Sequence, residues 1–282
     1  MGGGERSNRK VALSRKLRKE NIVLPYTFCH LKGVSKSAEE RLWSLGIVSW
    51  NDFERYPGSV FSSEKTASIK GQLKESQAAL ERENIDFFLS RLTSAERVRI
   101  YPHVRGKIAY VDIETTGLNR KDEITTIALY DGKMLNTYVR GMNLDNFIQD
   151  IQAYTLIVTY NGLRFDLPFL RSTFQKPFKL AHLDLCPVMQ ALGYRGGLKR
   201  CELLMGIKRQ VPEGIDGREA VSLWHRYKQD KDVSALRQLL AYNSQDVLSL
   251  EILLVKAYNR VMEGCPVNCR LPLPNQCRLS WH

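Results

Sequence analysis

The sequence has no apolar run approaching the roughly 20 residues of a membrane-spanning helix, which argues against a membrane protein. Its N-terminal segment lacks the apolar core of a secretory signal, and Arg6 stands where N-myristoylation requires Ser or Thr. Only 6 of the 282 residues are cysteine, and their scattered positions suggest no disulfide framework. These absences predict a cytoplasmic protein without membrane contact.

Acidic residues are scarce relative to basic ones: 30 Asp and Glu stand against 42 Lys and Arg, a formal net charge of +12. Residues 1–20 are especially basic, and we expect them to form a flexible arm. Such an excess favours a polyanionic partner, and nucleic acid over membrane because no apolar helix face accompanies the charge. The alternative is a basic protein with a disordered tail.

Residues 21–62 predict a small helical unit, and residues 63–103 a helical linker. A turn around Gly33 leads into the short helix of SAEERLWSL, and Ser49 caps a second short helix. This pattern resembles a helix-hairpin-helix unit, in which backbone N–H groups of the turn hold a phosphate. Ser35 stands where that family usually has a second glycine, so a purely structural helical hairpin is the alternative.

The segment Lys107–Leu118, KIAYVDIETTGL, combines the pattern of a buried strand with two acidic residues. Asp112 and Glu114 are two positions apart, so a strand presents both carboxylates on one face. Two such charges about 4 Å apart repel by roughly 4 kcal/mol at an effective dielectric near 20. Mg²⁺ or Mn²⁺ would relieve this repulsion, because hard cations prefer oxygen ligands. The alternative is a polar strand end that leads into a turn.

Polar residues also follow the apolar strand TLIVTY at 155–160, beginning with Asn161 and ending with Asp166. The carboxyl end of such a strand is where α/β sheets keep their binding sites. Asp166 is also a candidate N-cap for the helix expected from residue 167 or 168. We interpret His182 and Asp184, in the run HLDL, as structural or supporting residues.

A periodic helix predicted over Asp232–Val261 carries Tyr242 and Asp246 four residues apart, hence on one face. Considered alone, Asp246 is predicted to lie at the rim of the buried stripe. Upstream, EITTIALYDG and KMLNTYVRG predict two antiparallel strands, since Asp-Gly between them favours a tight hairpin. The region 104–262 therefore reads as an α/β domain.

Three groups of these residues resemble the three motifs of the DEDD exonuclease superfamily, in its DEDDy branch. The motifs are Asp112-x-Glu114, Asn161-x-x-x-Phe165-Asp166 and Tyr242-x-x-x-Asp246. The sister branch would require His at position 241, which is Ala here. The runs HLDL, GGLKRCE, LLMGIKR and LAYNSQDV further resemble YprB-type ribonuclease H-like proteins. The resemblance covers roughly 105–262 and implies a ribonuclease H-like mixed sheet flanked by helices, after a small N-terminal all-α unit.

The resemblance implies a 3′→5′ exonuclease acting on single-stranded nucleic acid ends with two divalent cations, Mg²⁺ or Mn²⁺. Tyr242 would orient the attacking water, because a phenol with a pKa of about 10 is a poor base at pH 7. Asn161 would touch substrate or hold the sheet end, and Lys199 would meet a phosphate or be solvated. The implied metal ligands are Asp112, Glu114, Asp166 and Asp246, and the predicted substrate contacts are Thr115, Asn161, Lys199 and Gly33.

Two other functions stay open at this point. The same fold could carry a structure-selective endonuclease, since end selectivity depends on loops and cleft shape. A non-catalytic module that binds nucleic acid and recruits repair or replication proteins would need only the basic arm, the hairpin and the linker. DNA and RNA are not distinguished, because no motif encodes a contact to the 2′ hydroxyl.

The segment 263–282 is predicted to be an irregular tail, because three prolines interrupt it. It holds four candidate zinc ligands, although their gaps differ from the usual short paired spacing. Ordinary reduced thiols are the alternative. The four residues are Cys265, Cys269, Cys277 and His282.

Overall fold

The chain divides into two compact units in a computed structural model. The first unit comprises the described residues up to Arg105 together with Tyr258–Leu271, and the second comprises Gly106–Ala257 and the described residues from Pro272. The structure describes residues 23–119, 121–175, 180–209 and 217–274.

Several predictions fall outside these ranges. The basic arm at 1–20 and two of the candidate zinc ligands, Cys277 and His282, are not among the described residues. Cys265 and Cys269 are described and carry free thiols. A zinc site formed with the other two residues stays a prediction. Within the described ranges, no helix is long and apolar enough to cross a membrane.

The first unit is built from helices whose starts are set by side-chain caps. Ser35 accepts a hydrogen bond from the Ala38 N–H, and Ser49 forms a reciprocal capping box with Asp52. The two short helices predicted here are therefore present, and the predicted linker is split into two main helices. The helices are Lys36–Ser44 (α1), Trp50–Arg55 (α2), Ser63–Glu81 (α3), Ile85–Leu89 (α4) and Tyr101–Val104 (α5), with 3₁₀ turns at Leu24–Tyr26 and Ala95–Ile100.

The turn before α1 requires glycine, because Gly33 has φ +84°. Two backbone donors of this turn are already paired: the N–H of Lys32 donates to Gln72 Oε1 at 2.7 Å, and that of Val34 donates to the Leu31 carbonyl at 3.0 Å. Neither group is available to a phosphate without breaking these bonds. Phosphate binding at Gly33 stays a prediction.

The second unit contains a five-stranded mixed sheet in the order β3-β2-β1-β4-β5. β1 pairs antiparallel with β2 and parallel with β4, β2 pairs antiparallel with β3, and β4 pairs parallel with β5. The predicted β2–β3 hairpin is confirmed, with φ +89° at Gly132 in its turn. The strands are Ile108–Thr115 (β1), Ile124–Tyr130 (β2), Leu135–Val139 (β3), Leu156–Thr159 (β4) and Ala181–Asp184 (β5).

Alternation along β1 separates the core from the acidic face. Val111 and Ile113 point into an apolar cluster that includes Phe147 and Leu170, whereas Asp112 and Glu114 point to the opposite face. The mixed sheet flanked by helices is the fold predicted from the sequence. The helices that start in this unit are Phe147–Asp150 (α6), Asp166–Phe174 (α7), Leu185–Ala191 (α8), Leu198–Leu204 (α9), Gly217–Asp230 (α10) and Val233–Val261 (α11). The end of α11 belongs to the first unit.

Candidate active site

The acidic end of β1 extends past its parallel neighbour. The last paired residues of β1 and β4 are Tyr110 and Val158, so Asp112 and Glu114 retain a strand partner on the β2 side alone. A local irregularity in the pairing with β2 follows Glu114. The two carboxylates therefore lie where the sheet opens toward the loop after β4.

Helix α11 brings a third carboxylate to this edge. Ligating oxygens of Asp112, Glu114 and Asp246 all lie within 4.8 Å of one another. Asp246 is only 7% exposed, so the rim position predicted for this residue alone is wrong. The rim prediction considered the neighbours of Asp246 within its helix, whereas the sheet edge supplies the burial.

Asp166 is the fourth predicted ligand and lines the same cavity, of about 630 Å³, as the other three. It is not part of the group within 4.8 Å. It is the first residue of α7 and does not cap that helix, because Phe165 holds the N-cap position without a side-chain hydrogen bond. The N-cap interpretation is therefore wrong. The Asp166 Oδ1 atom is buried and has no hydrogen-bond partner among the described residues.

Burial and mutual repulsion raise the pKa of every carboxyl group in the cavity. The pKa values of Asp112 and Glu114 are raised well above the ordinary range by burial, and then by the charges of Asp246 and Asp166. Burial raises the pKa of Asp166 to about 7 and that of Asp246 to about 6. Clustered oxygen donors, mutual repulsion and an unpartnered carboxylate oxygen fit hard divalent cations.

Tyr242 lies one helical turn before Asp246 and lines the cavity. Burial raises the pKa of its phenol, and the neighbouring charges of Asp246 and Glu114 raise it further, so the hydroxyl keeps its proton at neutral pH. The ammonium of Lys199, on the first turn of α9, lies 4.7 Å from the centre of the Tyr242 ring. The structure thus brings Lys199 to the site.

The other predicted substrate contacts are placed differently from one another. Thr115 lines the cavity, and its hydroxyl donates to the Gly117 carbonyl at 2.5 Å. Asn161 is exposed, has φ +63° and does not line the cavity. Gly33 belongs to the first unit.

Asp184 shapes the loop between β4 and α7. Its carboxylate accepts hydrogen bonds from the backbone N–H groups of Asn161 at 2.7 Å, Leu163 at 3.1 Å and Cys186 at 2.9 Å. His182 bonds Thr159 at 2.9 Å, between neighbouring strands. The structural interpretation of these two residues is confirmed.

Sequence reasoning did not identify two polar residues that contact the carboxylates. Arg209 pairs with Asp246 and also with Glu202, at 2.7 Å from the latter. Asn243 donates a hydrogen bond to Asp112 Oδ2 at 2.7 Å. Arg209 is only one of many basic residues, so nothing in the sequence singled it out. Asn243 follows Tyr242 directly, and its position between Tyr242 and Asp246 was the signal by which the sequence could have identified it.

The family RNase_H_2, described as RNase_H superfamily, matches residues 109–258, which include all four carboxylates and Tyr242. The chain belongs to the RNase H superfamily. No curated protein matches it. Among solved structures it is similar to a family B DNA polymerase from the hyperthermophilic archaeon Pyrobaculum calidifontis, at 13% identity and a TM-score of 0.40. That match covers 57% of this chain and 27% of the polymerase chain.

Proposed function

We propose that this RNase H superfamily member is a nuclease that uses two divalent cations to remove nucleotides from the 3′ end of single-stranded nucleic acid. The observation that carries the proposal is the group of ligating oxygens from Asp112, Glu114 and Asp246 within 4.8 Å. Asp166 in the same cavity and the order of the three DEDDy-like motifs support it further.

The four carboxylates would hold the cations, Mg²⁺ or Mn²⁺, at the open end of β1. When bound, such cations supply an activated water and neutralise charge on the phosphate and on the leaving oxygen. The carboxylates themselves are poor bases for this step in a cation-filled site, since their negative charge is committed to ligation. The role of the carboxylates is therefore to hold the positive charge of the cations beside the scissile phosphate.

Tyr242 and Lys199 would act on the water and the phosphate. The Tyr242 phenol retains its proton because its pKa is raised, so its role is to orient a water by hydrogen bonding. Lys199 places a positive charge next to the ring of Tyr242, in a position to attract a phosphate of the substrate.

The walls of the cavity favour unpaired bases. Leu118 is 85% exposed, and it lines the cavity together with Phe165 and Val221. The aromatic ring of Phe165 can stack against a base that a duplex would keep paired, and the two aliphatic side chains add apolar contact. We therefore propose a single-stranded end as the substrate.

The test is degradation of a 3′-labelled oligonucleotide by the full chain with Mg²⁺ or Mn²⁺. Asp112→Asn should lower the rate by at least about two orders of magnitude, because it breaks the ligand shell. Asp145→Asn is the matched control, since Asp145 is an exposed acid of the same unit. Equal activity of the Asp112 variant would refute the proposal.

Circular and 5′-labelled DNA and RNA extend the same assay. Products from a circular substrate would identify an endonuclease, and binding without any turnover would identify a recruiting module. Degradation of RNA alone, or of DNA alone, would settle the sugar preference.

We also propose that the basic N-terminal residues and the helical first unit add affinity for the phosphate backbone. The formal net charge of +12 supports this role. Deleting residues 1–20 should weaken oligonucleotide binding and reduce its dependence on salt concentration. The cytoplasmic location stays a prediction.

A further inference from the structure

Asn243 connects the buried face of β2 to the acidic end of β1. It is fully buried on α11, and its Nδ2 atom donates to Asp112 twice, to Oδ2 at 2.7 Å and to the backbone carbonyl at 3.1 Å. Its Oδ1 atom accepts from the hydroxyl of Thr126, which is also fully buried, at 3.1 Å. The amide therefore has hydrogen-bond partners on both sides.

These contacts fix the orientation of the amide. The backbone carbonyl of Asp112 can only accept a hydrogen bond, whatever the protonation state of its side chain, so the Nδ2 hydrogens must face Asp112. The Oδ1 atom must then face Thr126, whose hydroxyl can donate. Rotation of the amide by 180° would place its oxygen against the Asp112 carbonyl oxygen, two acceptors about 3.1 Å apart. One conformation of Asn243 is therefore strongly favoured.

The same contacts constrain Asp112. Asn243 holds both Oδ2 and the backbone carbonyl, so rotation of the carboxylate away from Asn243 would break the shorter of the two bonds. Tyr242, Asn243 and Asp246 lie within little more than one turn of α11, so a single short stretch of helix supplies a phenol, an amide and a carboxylate to the site. Any shift of this turn would move all three.

We propose that Asn243, held by Thr126, is a positioning residue that fixes the Asp112 carboxylate for cation binding. The inference rests on the proposed function, because it concerns the same metal site. Hydrogen-bond partners that orient a ligand typically change metal affinity or activity by about 10–100-fold when removed. Asn243 would act in this way on Asp112, the proposed ligand at the end of the central strand β1.

The chain offers a matched pair of substitutions on β2. Thr125 and Thr126 are adjacent and both fully buried, but only the Thr126 hydroxyl bonds Asn243. The Thr125 Oγ1 atom is buried without a hydrogen-bond partner in the described part of the chain. Thr125→Val and Thr126→Val therefore remove the same group from neighbouring buried positions, with and without a link to Asp112.

The experiment measures Mn²⁺ binding to the full chain by electron paramagnetic resonance, alongside turnover of the 3′-labelled oligonucleotide. Asn243→Ala should raise the Mn²⁺ Kd about 10–100-fold, and excess Mn²⁺ should restore part of the lost turnover. Thr126→Val should raise the Kd several-fold, and Thr125→Val should leave it unchanged. If Asn243→Ala does not fold, as judged by circular dichroism, the comparison of the two threonine variants decides.

Wild-type Mn²⁺ affinity in folded Asn243→Ala, or equal affinity in the two threonine variants, would overturn the positioning role. A wild-type chain that binds Mn²⁺ but cuts no substrate would overturn the nuclease proposal, while the Kd series would still decide the role of Asn243. A wild-type chain that binds no Mn²⁺ would overturn both.

Discussion

Arg209 pairs with Asp246, one of the three clustered carboxylates, and its second nitrogen lies 2.7 Å from the buried Glu202. The pair puts a permanent positive charge beside a proposed metal ligand. Burial raises the pKa of Asp246, and the charge and hydrogen bond of Arg209 lower it, with a result of about 6. Arg209 thus helps to keep Asp246 ionised at neutral pH.

Replacing Arg209 should therefore shift the pH dependence of the site. In Arg209→Gln the opposing charge is gone, so the pKa of Asp246 rises and the acid limb of Mn²⁺ affinity and turnover moves up by about 1 pH unit or more. The plateau above that limb should be retained, because Asp246 ionises there without help. Profiles from pH 5 to pH 9 measure the shift.

The control for this prediction is Arg226→Gln, which removes an arginine from the exposed pair with Asp232. This variant should keep the wild-type profile, since exposed pairs contribute little. An Arg209→Gln profile that coincides with the wild type would contradict the role of Arg209.

Cation binding should stabilise the protein more at high pH than at low pH. The pKa values of Asp166 and Asp246 are raised in the folded chain to about 7 and about 6, from an ordinary value of 3.8. Groups with raised pKa favour the folded state below pH 4, and this contribution is lost as pH rises through about 7. Without cation, these carboxyl groups therefore make the free energy of unfolding smaller at pH 8 than at pH 5.

Thermal melts with and without saturating Mg²⁺ provide the measurement. At pH 8 the cation should raise Tm by about 5 °C or more, and at pH 5 by clearly less. Asp166→Asn should raise the Tm of the cation-free protein at pH 8, whereas the exposed Asp145→Asn should not. If the cation raised Tm by the same amount at pH 5 and at pH 8, the result would argue that it binds elsewhere.

The strands of the sheet could be predicted from the sequence more completely than the pairing and burial of the charged residues around the site. Strand β1 and the β2–β3 hairpin follow from local alternation and turn residues, which act over a few positions. The pairing of Arg209 with Asp246 joins positions 37 residues apart, with no periodic relation between them. The burial of Asp246 likewise depends on the sheet edge, so helical periodicity alone assigned it to the rim.

Asp184 should be required for both stability and turnover. It accepts two backbone N–H groups of the loop that precedes Asp166 and a third from Cys186 in α8, and Asn161 in that loop has φ +63°. Asp184→Ala should lower the free energy of unfolding by about 2 kcal/mol, since three backbone N–H groups lose their charged acceptor. Turnover should fall as well, because Asp166 follows directly. Urea unfolding and the nuclease assay measure the two effects.

Asp131→Ala separates the two effects of the Asp184 substitution. Asp131 accepts N–H groups of Lys133 and Met134 in the β2–β3 turn, and it lies beyond the opposite end of the β1–β2 pairing from Glu114. Its loss should lower stability without lowering the turnover of the folded fraction. Wild-type turnover in folded Asp184→Ala would show that the loop does not position Asp166.

Lys199 and Arg200 are adjacent, exposed and equally charged, yet they should contribute differently to catalysis. The Lys199 ammonium lies 4.7 Å from the Tyr242 ring centre, and its charge lowers the pKa of both Glu114 and Asp246. Lys199→Ala should raise KM about 10-fold or more, the value of a charge-assisted hydrogen bond to phosphate. Arg200→Ala removes the same long-range charge and should change KM by much less.

Steady-state kinetics of the two variants are compared at one fixed salt concentration, because the general electrostatic attraction of substrate is then the same for both. Equal effects would assign Lys199 to that general attraction and remove it from the site.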